Sequence, residues 1–180
     1  RSGWGENLGW LPDSRHIWYQ SEKTGYSHLY TLNIENQKEK ALTRGSFEIY
    51  NPRISNDKKY WYFSANKSHP GVRHFYRMPL TGGKMKQLTQ KTGRHDVEVS
   101  PDGKYLAVRY SAANQPWEVY LKKNDASSKP VQITHSIKDS FNAYPWRKPE
   151  VVTFRAKDRE KVYARLYKPS QQKNTRGAAV

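Results

Sequence analysis

The amino-acid sequence predicts an all-β fold, a partial β-propeller of three four-stranded antiparallel blades followed by a short β segment. Three observations carry this. One set of motifs recurs with a period near 45 residues. Each period holds four short runs of strand character. Turn signals separate the runs, and no segment reads as an amphipathic helix. Four short strands recurring every 40–50 residues or so mark a propeller blade.

The period rests on three independent markers. LPDSRHIWY from Leu11, ISNDKKYWY from Ile54 and VSPDGKYLA from Val99 start 43 and 45 residues apart. HLYTLNI, HFYRMPL and WEVYLKK follow, with Tyr30, Tyr76 and Tyr120 spaced 46 and 44. ALT, QLT and QIT close the units on Thr43, Thr89 and Thr134, spaced 46 and 45. The units are therefore residues 1–46, 47–93 and 94–136.

Within the third unit the strands are HDVEVS, YLAVRYS, WEVYLKK and VQITH, each alternating and rich in β-branched or aromatic residues. PDGK, AANQP and NDASSKP are the turns between them. The first unit uses PDSR and KTGYS, and the second uses NDKK, KSHPGVR and TGG. Ser100 to Gly103 places Pro at i+1 and Gly at i+3, as a type I turn prefers. Asp102 and Lys104 are accordingly turn residues and not an acid–base pair. After Ser136 the period breaks. Residues 137–150 form a linker, and 151–169 read as a strand, a turn at Lys157–Glu160 and a second strand ending at a proline.

Composition alone points elsewhere. Leu, Ile, Val and Phe make only 31 of 180 residues, and the net charge is +16, a pairing typical of unfolded chains. The 13% of aromatic residues decides against disorder, because Tyr and Trp bury large areas while averaging polar on hydropathy scales. The 32 Lys and Arg are spread along the chain without a cluster, so no nucleic-acid partner is expected. There is no cysteine, which excludes disulfides, thiolate metal sites and a cysteine nucleophile. No run reaches the roughly 18 apolar residues of a membrane helix, and the N-terminus lacks a signal-peptide core.

EKTGYSHLYTL (Glu22 to Leu32), GSFEIY (Gly45 to Tyr50), HPGVRHFYRMPLTGG (His69 to Gly83) and the strand pair F-x-A-x-D…L-Y-K-P together resemble the prolyl oligopeptidase family of serine peptidases. The resemblance is to its dipeptidyl peptidase IV-like branch and covers almost the whole chain. It implies an N-terminal propeller with more blades than these three and a C-terminal α/β-hydrolase domain carrying a Ser-Asp-His triad. By this resemblance the chain is a fragment holding the last three blades, with the missing blades upstream, and residues 151–180 are the truncated start of the catalytic domain. Arg159 departs from the family's Gly after the turn Asp, which predicts a different turn there.

The resemblance also implies a periplasmic or extracellular peptidase whose propeller gates and positions short peptides. A non-catalytic propeller scaffold is the alternative. The sequence holds no G-x-S-x-G elbow, so no catalytic residue is assigned to this chain. No adjacent glutamate pair is present to bind a substrate amino terminus. In the family the segment before these blades reaches the active-site cavity, so Trp4 and Glu6 are the candidate substrate-binding residues, Trp4 for a side chain and Glu6 for a positive group. The other reading of Trp4 is cover for a blade edge. His95, Asp96 and Glu98 look like metal ligands, but strand geometry puts His95 on one face and both acids on the other, so no metal site is expected. His28 and His74 occupy equivalent repeat positions and read as packing residues, as do Tyr30, Tyr76 and Tyr120. No cofactor is expected. The expected partners are a peptide substrate of the full-length enzyme and further copies of the chain as a homo-oligomer.

Overall fold

The structure, a computed structural model, describes residues 7–168. Three four-stranded sheets follow one another, each an antiparallel meander in sequence order. The first contains β1 (Leu8–Trp10), β2 (His16–Ser21), β3 (His28–Asn33) and β4 (Glu39–Ala41). The second contains β5 (Ile49–Ile54), β6 (Tyr60–His69), β7 (Val72–Pro79) and β8 (Lys86–Gln87). The third contains β9 (Arg94–Val99), β10 (Tyr105–Ala112), β11 (Gln115–Lys123) and β12 (Val131–Gln132). This is the predicted blade, three times over.

The turn after the first strand of each blade has one chemistry. In the third blade the Gly103 N–H donates to Ser100 O at 2.8 Å, and Ser100 N–H donates to Tyr105 O at 2.9 Å. Gly103 itself stands at φ 72°, so the type I turn ends in a left-handed residue. Ser14 (φ 55°) and Lys58 (φ 60°) take that same position without being glycine. What holds them is the preceding aspartate. Asp13 Oδ1 accepts from Arg15 N–H and His16 N–H, both at 3.0 Å. Asp57 Oδ1 accepts from the Ser55 hydroxyl at 2.5 Å, and Asp102 Oδ1 from the Ser100 hydroxyl at 2.6 Å. Hydrogen bonds from Arg15 N–H, Ser55 and Ser100 hold the three carboxyls below the usual carboxylate range. Asp102 and Lys104 are 3.7 Å apart and exposed, a turn pair as expected.

Two cores join the blades. Trp18, Leu29 and Leu42 of the first pack on Ile49, Trp61, Phe63 and Met78, with Trp18 and Trp61 edge-to-face at 5.2 Å. Tyr62, Phe75 and Leu88 of the second pack on Val97, Leu106, Val108 and Tyr120 of the third. The second blade is thus buried on both faces, which is why β6 reads Trp-Tyr-Phe without a polar residue between. Blade three alternates instead, with Leu106, Val108 and Tyr110 buried and their neighbours exposed.

Residues 137–168 belong to a separate compact unit. It contains a single helical turn, α1 (Asp139–Ala143), which the sequence did not suggest, and a hairpin of β13 (Glu150–Arg155) and β14 (Lys161–Leu166). Arg159 adopts φ 69°, and its N–H donates to Ala156 O at 2.9 Å. Arg159 thus takes a left-handed position without being glycine, and Asp158 Oδ1 accepts from Glu160 N–H at 3.0 Å and supports it, as in the blades. No helix among the described residues is long and apolar enough to cross a membrane.

Candidate functional site

The antiparallel meander sets the two ends of every blade apart. One end carries the aspartate turns. The other carries the loops β2–β3, β6–β7 and β10–β11, the connectors between blades, and the exit of the third blade at Ser136. That second end is the candidate site. Trp4 and Glu6, the substrate-binding candidates of the sequence, lie outside the described residues.

A buried clasp recurs at this end. Thr43 Oγ1 accepts the Leu29 N–H at 3.0 Å and lies 3.0 Å from His28 Nδ1. His28 Nε2 lies 2.8 Å from Gly45 O, so it is the protonated nitrogen, and Nδ1 accepts from the Thr43 hydroxyl. Thr89 repeats the arrangement, accepting Phe75 N–H at 3.0 Å and lying 3.2 Å from His74 Nδ1. In the third blade Thr134 accepts Val119 N–H at 2.8 Å, but its hydroxyl donates to Glu118. Glu118 is 1% exposed and also accepts the Ser136 N–H at 2.7 Å and the Ser136 hydroxyl at 2.8 Å. His28 and His74 are therefore structural, as expected. Glu118, two residues before Tyr120 as His28 is before Tyr30, is the third member that the sequence reading passed over.

The other family motifs have structural roles here. In GSFEIY, Phe47 is buried edge-on to His28 at 5.1 Å, and Glu48 Oε2 accepts Ser27 N–H at 2.6 Å. Glu48 N–H in turn donates to Asn66 Oδ1 at 2.6 Å, which ties the connector to both neighbouring loops. Arg73 stacks on Tyr50 at 3.8 Å. An open hollow of about 520 Å³ around the β2–β3 loop is lined by Lys23, Tyr26, Glu39 and Arg44 among others. Lys23 and the Tyr19 hydroxyl both bond Glu39.

His95, Asp96 and Glu98 take separate partners. His95 Nδ1 is 3.1 Å from Arg73 O, inside the seam between blades two and three. Burial lowers its pKa to about 4 and also lowers that of His74, whose ring lies 5.5 Å away. Asp96 faces outward to Arg109 at 2.6 Å and Arg94 at 3.3 Å. Its burial works to raise the pKa, and the two guanidinium groups outweigh it. Glu98 meets Arg53 of the neighbouring blade at 2.6 Å. Tyr30, Tyr76 and Tyr120 are all buried, as expected.

The comparison with known proteins agrees with this architecture. The profile of the dipeptidyl peptidase IV (DPP IV) N-terminal region matches residues 6–117. The chain belongs to the DPP IV N-terminal region family. Among relatives, a probable dipeptidyl-aminopeptidase B of Arthroderma otae is 34% identical over 99 residues, which are 52% of this chain and 11% of that protein. A second, of Trichophyton verrucosum, is 31% identical over 114 residues, 61% of this chain and 13% of that protein. Dipeptidyl peptidase 4 of Trichophyton equinum is 28% identical over 119 residues, 64% of this chain and 15% of that protein. The chain thus spans a small part of the length of the curated relatives it matches.

Proposed function

We propose that this chain is part of a serine exopeptidase of dipeptidyl peptidase type, periplasmic or extracellular, and that its blades gate and position short peptides for a Ser-Asp-His triad C-terminal to it. The family match over residues 6–117 carries this reading. The clasps support it: a gate must keep its shape while excluding longer chains, and the end of each blade is pinned by a Thr and its buried His or Glu partner. Such a wall contributes specificity and orientation and no bond chemistry. Within this reading Trp4 contacts a substrate side chain and Glu6 a positive group of the substrate.

The test uses the full-length protein. Its coding sequence should supply G-x-S-x-G followed by Asp and His beyond Val180. The protein should release a chromophore from dipeptidyl amides with a free N-terminus, fail on N-acetylated ones, and label with a serine-reactive fluorophosphonate. Glu6→Gln should raise KM more than it lowers kcat. Absence of the elbow together with absence of amide hydrolysis would leave a scaffold propeller instead.

A further inference from the structure

Lys122 on β11 is 4% exposed, and its ammonium donates to Leu88 O of the preceding blade at 2.6 Å. This is its single hydrogen bond among the described residues, and it enters no ion pair there. Asp125 helps from a distance, but its carboxylate is taken by Ser127 and Ser128. Two of the three N–H donors of a buried cation therefore have no protein partner among the described residues, a costly arrangement that an anion would relieve. Burial holds the Lys122 pKa below the ordinary lysine value, as that imbalance requires.

Beside Lys122 lies a pocket of about 100 Å³. Lys91, His95, Val108, Tyr110 and Tyr120 line it with Lys122, and none of its lining residues is acidic. Lys91 is exposed, and its Nζ lies 5.5 Å and 5.2 Å from the ring centres of Tyr110 and Tyr120. Two cations and aromatic walls are thus gathered on one small space in the seam of blades two and three. The volume admits a few carbon atoms beyond an anionic head.

We propose that this pocket binds a small free organic carboxylate, its head on Lys122 and Lys91 and its short apolar tail against Tyr110, Tyr120 and Val108. The apolar walls set it apart from a site for an inorganic anion, and its size excludes a peptide chain.

The test is thermal unfolding of the full-length protein in acetate, propionate, butyrate or chloride at one pH and one ionic strength. Propionate and butyrate should raise the midpoint by a few degrees in a concentration-dependent way, beyond chloride. Lys122→Met should abolish the difference and Lys91→Ala should weaken the apparent affinity several-fold. Lys123→Met, an exposed neighbour on the same strand, should leave it intact. Equal shifts in chloride and carboxylate, or a carboxylate effect that survives Lys122→Met, would overturn the proposal. If Lys122→Met does not fold, calorimetric titration of Lys91→Ala with propionate decides, and unchanged affinity there counts against the site.

Discussion

The Thr134 hydroxyl donates to the buried carboxylate of Glu118 at the position where Thr43 and Thr89 meet histidine rings. One clasp has thus been built with two chemistries. In each case the threonine oxygen also accepts a backbone N–H of the third strand, from Leu29, Phe75 or Val119.

Thr89→Val tests the clasp. The substitution keeps the shape but leaves the buried Phe75 N–H and the His74 ring without their partner, at a cost of about 1–3 kcal/mol. Denaturant midpoints of the full-length protein should fall accordingly, and Thr89→Ser should recover most of the loss. Faster amide exchange at Phe75 would locate the damage.

The left-handed turn residues give a test of opposite sign. Lys58→Gly and Ser14→Gly should stabilise by up to about 1 kcal/mol, because a left-handed conformation costs an L-residue more than glycine's extra chain entropy. Gly103→Ala should destabilise by a similar amount through the backbone alone, since an added Cβ meets nothing within 4 Å. At Gly93 the same change should cost more, because the new Cβ would stand 2.3 Å from Ser111 O. Paired unfolding curves for the four variants check the order.

His95 sets a pH dependence. It faces the His74 and Tyr110 rings, feels Lys122 and Asp96, and has a pKa of about 4 in the fold. In the unfolded chain a histidine titrates near 6.5. The unfolded state therefore takes up a proton first as the pH falls, and stability drops from about pH 6.5 down to about pH 4. His74 adds a change of the same sign. The loss from His95 alone amounts to about 3 kcal/mol at most. Unfolding midpoints between pH 7.5 and 4.5 should flatten in His95→Gln, where pH 7.5 and 4.5 are roughly one unit outside the window at its top and within it at its foot.

The Arg53–Glu98 pair separates charge from hydrogen bonding. Glu98→Gln should cost less than about 1 kcal/mol, since the carboxylate is largely exposed. Arg53→Ala should cost more, because it also removes the donor to Val97 O and the contact with Phe75. A double-mutant cycle with Glu98→Gln should return a small coupling.

Much of the fold was legible in the sequence because blades are local. The turn chemistry of VSPDGKYLA depends on residues within five positions of one another, so the motif marked both the period and the strand ends. The candidate site was less legible. In β11 hydrophobicity alternates as Trp117, Val119, Leu121, yet the residues turned into the seam are Glu118, Tyr120 and Lys122. A polar side chain enters a core only where a partner awaits it. The partners here are Thr134, Ser136 and the Leu88 carbonyl, the last 34 residues away in another blade.

The sequence by itself determined the meander, the three-fold repetition and the turn positions, all of which arise from contacts between near neighbours along the chain. Only the tertiary structure decided which face of each blade carries chemistry. That choice belongs to the adjoining blade, whose carbonyls and rings determine whether a lysine or a glutamate can be buried at the seam.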